Sequence, residues 1–298
     1  MNEKCCLCPR KCNIDRSVST GFCGAPDKIK AAKAYIHKGE EPIISGDGKT
    51  RGSGTVFFSH CQLKCPFCQN FEISEGGFGE IIDERALARI MLDLQERGAY
   101  NINLVSPTPY VPQIINALDI CGGRLNIPVA YNCGGYESTD TIKRLCGYVQ
   151  IYMPDVKFYS GELSQRYLKA ADYFDAAVSA LCEMINQVGK PIIGEDGIMK
   201  SGVIVRHLVM PSHYRDSVEV LRRLYDEFGS DSFILSLMSQ YIPCNRAEKY
   251  PEINRRVTTF EYEKALECAD NLGFSGFMQQ RDSATDALVP KWDLEGIL

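Results

Sequence analysis

A mostly parallel α/β fold is predicted for this chain of 298 residues, on three observations. Short apolar runs rich in β-branched and aromatic residues alternate with segments of helical periodicity, about six times along the chain. Each run is short enough to be a strand buried on both faces. The order strand, helix, strand then calls for right-handed crossovers, either in a doubly wound sheet or in a full or partial (β/α) barrel. In both architectures chemistry is expected at the carboxyl ends of the strands.

The elements follow in order. Residues 1–30 form a cysteine-rich head with almost no periodicity, and the glycine-rich stretch Gly46 to Gly54 separates it from the alternation. This divides the chain into a metal-binding extension (1–50), a barrel (51–280) and a tail packing on the barrel (281–298) that carries the only tryptophan, Trp292. Strands are expected at Thr55 to Ser59, Ile102 to Val105, Pro128 to Tyr131, Val149 to Met153, Val203 to Val209 and Phe233 to Met238. Helices are read from apolar positions spaced 0, 3, 4, 7: Leu87 to Leu94, Val111 to Leu118, Phe174 to Leu181, Leu221 to Phe228 and Tyr262 to Ala269. End signals accompany several of them, Asp83 with Gly98, Thr139 with Gly147 and Thr259 with Gly273.

Composition narrows the function. With 33 Lys+Arg against 38 Asp+Glu the net charge is −5, which gives no general attraction for phosphate backbones, so no nucleic-acid partner is expected. No apolar run approaches the roughly 18 residues of a membrane span, and MNEKCCLCPRKC lacks the apolar core of a signal peptide, so the chain reads as cytoplasmic. In a reducing compartment its 14 cysteines are not expected to be disulfides. Eight of them crowd into the first 68 residues and read as metal ligands; the scattered remainder read mostly as small core residues.

The sharpest feature is His60-Cys61-Gln62-Leu63-Lys64-Cys65-Pro66-Phe67-Cys68-Gln69-Asn70, a C-x3-C-x2-C spacing directly after the first predicted strand. A 4Fe-4S cluster wants four ligands, so three thiolates on one loop leave one iron free to bind something else. The bland alternative is a zinc knuckle that borrows His60 as its fourth ligand, or three incidental thiols.

This loop, with Phe67 before its last cysteine, resembles the hallmark of the radical S-adenosylmethionine (SAM) superfamily. The wider run, Glu40-Glu41-Pro42 and then IISGDGKTRGSGTVFFSHCQLKCPFCQNFEIS, is similar to the branch of pyruvate formate-lyase activating-enzyme-related proteins, and the likeness extends through NINLVSPTPYVP, VAYNCGGYES, YMPDVKFY, GVIVRHLVMP and SLMSQYIP. The resemblance implies a partial or full (β/α) barrel of the radical SAM type. It also implies a catalytic 4Fe-4S cluster on Cys61, Cys65 and Cys68, SAM chelated to the free iron, and reductive cleavage to a 5′-deoxyadenosyl radical that takes hydrogen from a substrate. A flavodoxin- or ferredoxin-like electron donor goes with that chemistry.

For SAM binding, Phe67 and Asn70 belong to the loop itself. Where many members have Gly-Gly-Glu-Pro after the second strand, this chain has Ser106-Pro107-Thr108-Pro109, in which Ser106 and Thr108 offer hydroxyl and carbonyl acceptors. Asp155-Val156-Lys157 is similar to the Asp-x-Lys motif of glycyl-radical activating enzymes, which implies Lys157 for the SAM carboxylate and Asp155 for a cation or amide contact; a plain surface ion pair is the alternative. Asn132 and Cys133 stand where those enzymes have Asp-Thr. Within the apolar run VIVRHLVMP an uncompensated charge is expensive; Arg206 is read as facing the interior to meet SAM or an anionic substrate, and His207 as a ligand-facing or a structural histidine. Gln240, at the last strand end, reaches toward SAM or substrate, unless that strand end is simply packed.

In the head, Cys5-x2-Cys8-x3-Cys12-x10-Cys23 supplies four thiols, a closed site compatible with zinc or with a second 4Fe-4S cluster, Cys6 being surplus. Three functions remain open: a radical SAM enzyme that modifies a protein, as in glycyl-radical activation; one acting on a small molecule; and a non-catalytic iron-sulfur or zinc electron-transfer protein.

Overall fold

The computed structural model describes residues 4–278 and 290–298. The chain enters the sheet at β1 (Ile29–His37), passes through a short helix α1 (Pro42–Ser45) and returns as β2 (Ser53–Phe58). After α2 (Phe71–Ser74) and β3 (Glu80–Ile82) the alternation is regular: α3 (Glu84–Glu96), β4 (Ile102–Val105), α4 (Val111–Cys121), β5 (Val129–Cys133), α5 (Thr139–Arg144) and β6 (Ile151–Pro154). Helices α6 (Gly161–Leu168) and α7 (Tyr173–Val188) and the short β7 (Ile192–Ile193) lead to β8 (Met199–Leu208), α8 (Tyr214–Phe228), β9 (Ile234–Met238), α9 (Thr259–Asn271) and β10 (Gly276–Met278).

The strands lie in the order β10-β9-β8-β6-β5-β4-β2-β1-β3, with β7 beside β8. From β2 to β10 that path is parallel, whereas β1 pairs antiparallel with both β2 and β3. The order is open, so the architecture is a partial barrel and neither a closed one nor a doubly wound sheet. The large core packs outward-facing strand residues such as Leu104, Tyr131 and Val205 against Leu87, Ile114, Leu181 and Leu221 of the helices. Facing the other way, Ala130, Ile151, Met153 and Ile204 meet Ile44 of α1, so the 39–46 segment fills the concave side.

The strand missed by sequence, β1, reads IKAAKAYIH, with Ala and Lys where β-branched residues would mark a strand. Lys33 is nonetheless buried, because its ammonium meets Asp293 and Glu295 of the tail at 2.8 and 2.9 Å. Pairing of β1 with β2 carries the sheet across the expected division at residue 50. Residues 281–289 of the expected tail lie outside the described residues; from Pro290 onward Trp292 stands edge-on to Phe57 at 5.3 Å and Ala34 N–H donates to Glu295 O at 2.8 Å. Asp83 caps α3 as expected, accepting from Ala86 N–H at 2.7 Å. The cap of α9 is Thr258 rather than Thr259, since only Thr258 forms the reciprocal box with Glu261. Among the described residues no helix is long and apolar enough to cross a membrane.

Candidate active site

Residues 59–70 leave the carboxyl end of β2, a strand buried along its whole length. His60, at φ 72°, makes the turn possible. Its N–H donates to Ile73 O at 2.8 Å, and its ring lies against Gly24 and Gly77 rather than in the cavity below the loop. Burial, with Lys30 and Lys64 nearby, pushes the imidazole down to about 4. A zinc knuckle using His60 is therefore not what this loop builds.

Cys61, Cys65 and Cys68 all face one cavity of about 280 Å³. Leu63 N–H donates to Cys61 Sγ at 3.4 Å and Ser74 Oγ lies 3.3 Å from Cys68 Sγ. Burial pushes the Cys61 thiol up to about 12 and raises Cys65 and Cys68 as well, so bound metal, not solvent, is what would hold them as thiolates. Among the described residues no three His, Cys, Asp or Glu converge as closely as ligands of a single ion. In an iron-sulfur cube each iron takes its own thiolate, so the donors stand further apart; three buried thiols with N–H and O–H partners around one cavity fit such a group.

The same cavity is lined by Asn70, Ser106, Asn132, Asp155, Lys157, Arg206 and Gln240. Lys157 and Asp155 form an ion pair in which both side chains are mostly buried. Burial alone would lower the lysine, but the Asp155 carboxylate beside it more than offsets that and keeps the ammonium charged. Ser106 sits at φ 57°, and its N–H donates to Asn132 O at 2.9 Å. Phe67 does not line this space; it makes edge contacts with Phe158, Tyr167 and Tyr241 at 6.3, 6.3 and 6.0 Å, and so wedges the loop onto the barrel. It borders a neighbouring cavity of about 200 Å³ with Gln240 and Lys157.

Two expectations need correction. Thr108 is buried in a 3-10 turn (Thr108–Tyr110) outside the cavity, its hydroxyl donating to Glu137 Oε1 at 2.8 Å. Arg206 does face the interior, but its charge is taken by Glu40 and Glu41, with Nε donating to Glu41 Oε1 at 2.9 Å. Burial would raise Glu41, yet the guanidinium wins and holds that carboxyl below its usual range. An anion would find no free charge there. His207 is a buried residue whose Nδ1 lies 2.6 Å from Val156 O, and burial pushes it down to about 4, so it stays neutral.

Sequence reasoning also missed what grips the loop. Gln62 Nε2 donates to Glu137 Oε1 at 2.8 Å and to Tyr136 O at 3.2 Å, and Tyr131 Oη donates to Glu137 Oε2 at 3.0 Å. On the far side Arg246 N–H donates to Pro66 O at 2.8 Å, while its guanidinium meets Glu75 at 2.7 Å.

The cysteine-rich head docks on the same rim. Arg10 Nε donates to Gln62 O at 3.2 Å and Arg10 Nη2 to Leu168 O at 2.9 Å, and Thr141 Oγ1 donates to Leu7 O at 2.8 Å.

Over 279 residues, 90% of this chain and 75% of the other, the sequence is 32% identical to the uncharacterized protein MJ0674 of Methanocaldococcus jannaschii. The chain belongs to the MJ0674 family. In this MJ0674 relative, residues 44–121 match the family model of a 4Fe-4S single cluster domain, a stretch that includes all three cysteines of the loop. The fold is shared with SuiB of Streptococcus suis bound to S-adenosylmethionine, at a TM-score of 0.53 and 14% identity, covering 74% of this chain and 48% of that one. It is shared also with methylornithine synthase (PylB), at a TM-score of 0.50 and 14% identity, covering 80% and 68%. The MJ0674 relative thus spans about half the length of SuiB.

Proposed function

We propose that the protein is a radical SAM enzyme holding a 4Fe-4S cluster on Cys61, Cys65 and Cys68, with SAM bound beside it. The observation that carries this reading is the gathering of three thiols from one strand-end loop with the Lys157–Asp155 pair in a single cavity. When bound and reduced, by a flavodoxin- or ferredoxin-like donor, the cluster supplies one electron that splits SAM into methionine and a 5′-deoxyadenosyl radical.

The residues divide the binding work. Lys157, kept charged by its neighbours, holds a carboxylate. Asn132, Ser106 and Gln240 offer neutral acceptors for an ammonium, and Asp155 an anionic one. Leu63 and Val105 narrow the wall, and Phe67 fixes the loop, so that water is kept from the site. Replacing Lys157 with Met removes one charge-assisted hydrogen bond, and equilibrium dialysis is expected to show SAM binding about 10- to 100-fold weaker; unchanged binding would remove Lys157 from this role.

The decisive test is anaerobic reconstitution with iron and sulfide, chemical reduction, and chromatography for 5′-deoxyadenosine after SAM is added. The intact protein is expected to form it and Cys65→Ala to form none. Product surviving in the variant, or missing from the intact protein, overturns the reading.

A further inference from the structure

The head presents four thiols that the function above does not use. Its backbone is folded around them: Cys5 N–H donates to Ile14 O at 2.8 Å, Asn13 N–H to Cys5 O at 2.9 Å and Lys11 N–H to Cys8 O at 3.0 Å. Phe22 N–H donates to Cys12 Sγ and Ala25 N–H to Cys23 Sγ, both at 3.4 Å. The bond at Cys23 comes from two residues downstream, as it does from Leu63 to Cys61 in the active-site loop, and it is a geometry that stabilises a sulfur carrying negative charge. Gly21 fits because a side chain there would meet Cys12 Sγ at 2.8 Å.

The thiols form one group. The backbone of Cys5 pairs with Asn13 and Ile14, next to Cys12; Cys8 O takes the N–H of Lys11, on the other side of Cys12; and Cys12 Sγ takes the N–H of Phe22, next to Cys23. Cys6 points elsewhere, exposed and near Asn13 Oδ1 at 3.8 Å. Sulfur donors in a set of four suit zinc or an iron-sulfur cluster. Zinc needs its ligands on one point, each about 2.3 Å from the ion, and among the described residues no three donors converge in that way. A cube asks for thiolates spread around its corners.

We propose that Cys5, Cys8, Cys12 and Cys23 bind a second 4Fe-4S cluster whose irons are all thiolate-ligated, seated against the active-site loop through the Arg10 to Gln62 hydrogen bond. Having no open iron, this cluster does not bind SAM.

The test uses anaerobically reconstituted full-length protein. The intact chain is expected to hold about eight irons and eight acid-labile sulfides, and the variant with Cys61, Cys65 and Cys68 all changed to Ala about four of each. After reduction, that variant's electron paramagnetic resonance signal should be unmoved by SAM. A variant with Cys8→Ser and Cys12→Ser should also hold about four irons, with a signal that SAM does shift; it serves where the triple variant fails to fold by circular dichroism. Zinc without sulfide in the triple variant, or about eight irons retained after the head substitutions, overturns the proposal. Failure of 5′-deoxyadenosine formation with both iron contents as expected would overturn the proposed activity and leave this site standing.

Discussion

At the scale of a residue, Glu137 has the strongest consequences. Burial pushes its carboxyl from 4.5 up to about 7, with hydrogen bonds from Thr108, Tyr131, Cys133 and Gln62 pulling it part of the way back. Between those two pH values the folded protein keeps a proton that the unfolded chain has released. Stability from this group is therefore complete below 4.5 and declines as pH rises through about 7, by about 3 kcal/mol at 1.36 kcal/mol per unit. Glu137→Gln keeps the carbonyl acceptor for Gln62 and Thr108 and removes the titration. Melting temperatures measured anaerobically across that window should fall with pH in the native protein and fall distinctly less in the variant; parallel curves would show that Glu137 does not titrate there. The run VAYNCGGYES contains this residue but gave it no role, because its partners Gln62 and Thr108 stand 75 and 29 positions away. The three loop cysteines were legible for the opposite reason: eight consecutive residues bring them all to one strand end.

At the scale of an element, the segment before β2 is held inside the sheet by charge. Glu40 and Glu41, with side chains 12% and 7% exposed, share Arg206 of β8, and Asn103 Nδ2 adds a bond to Glu40 at 2.9 Å. Arg206→Met leaves two buried carboxylates without their counter-ion, which costs about 3–5 kcal/mol. Glu40→Gln should cost clearly less, since Arg206 keeps Glu41 and the amide keeps an oxygen for Asn103. Denaturant midpoints decide the order, and equal losses would mean that the segment is held by Ile44 and its packing instead. The parallel strands and long helices were readable because β-branched runs and the helical spacing of apolar residues are local signals. Strands β1, β3 and β10 and helix α6 were not: they are short or low in strand propensity, and tertiary partners make them.

At the scale of the whole molecule, parallel order followed from handed crossovers, but openness did not, because closure depends on what the edges meet. One such meeting joins the chain's end to the rim. Pro290 lines the active-site cavity, Trp292 covers Phe57, and Asp293 and Glu295 neutralise Lys33, whose side chain is 7% exposed. Ending the chain after residue 289 removes the Trp292 contact with Phe57 of β2 and the ion pairs with Lys33 of β1. The aromatic pair contributes about 0.5–1.5 kcal/mol beyond its area, and with the ion pairs the loss should be on the order of 2 kcal/mol. Hydrogen exchange is then expected to quicken in residues 29–37 and 53–58 while residues 202–208 and 234–238 keep their protection. Uniform acceleration across all four strands would mean that the sheet opens as one unit and that the tail stabilises the whole molecule; no change anywhere would mean that it merely rests on the surface.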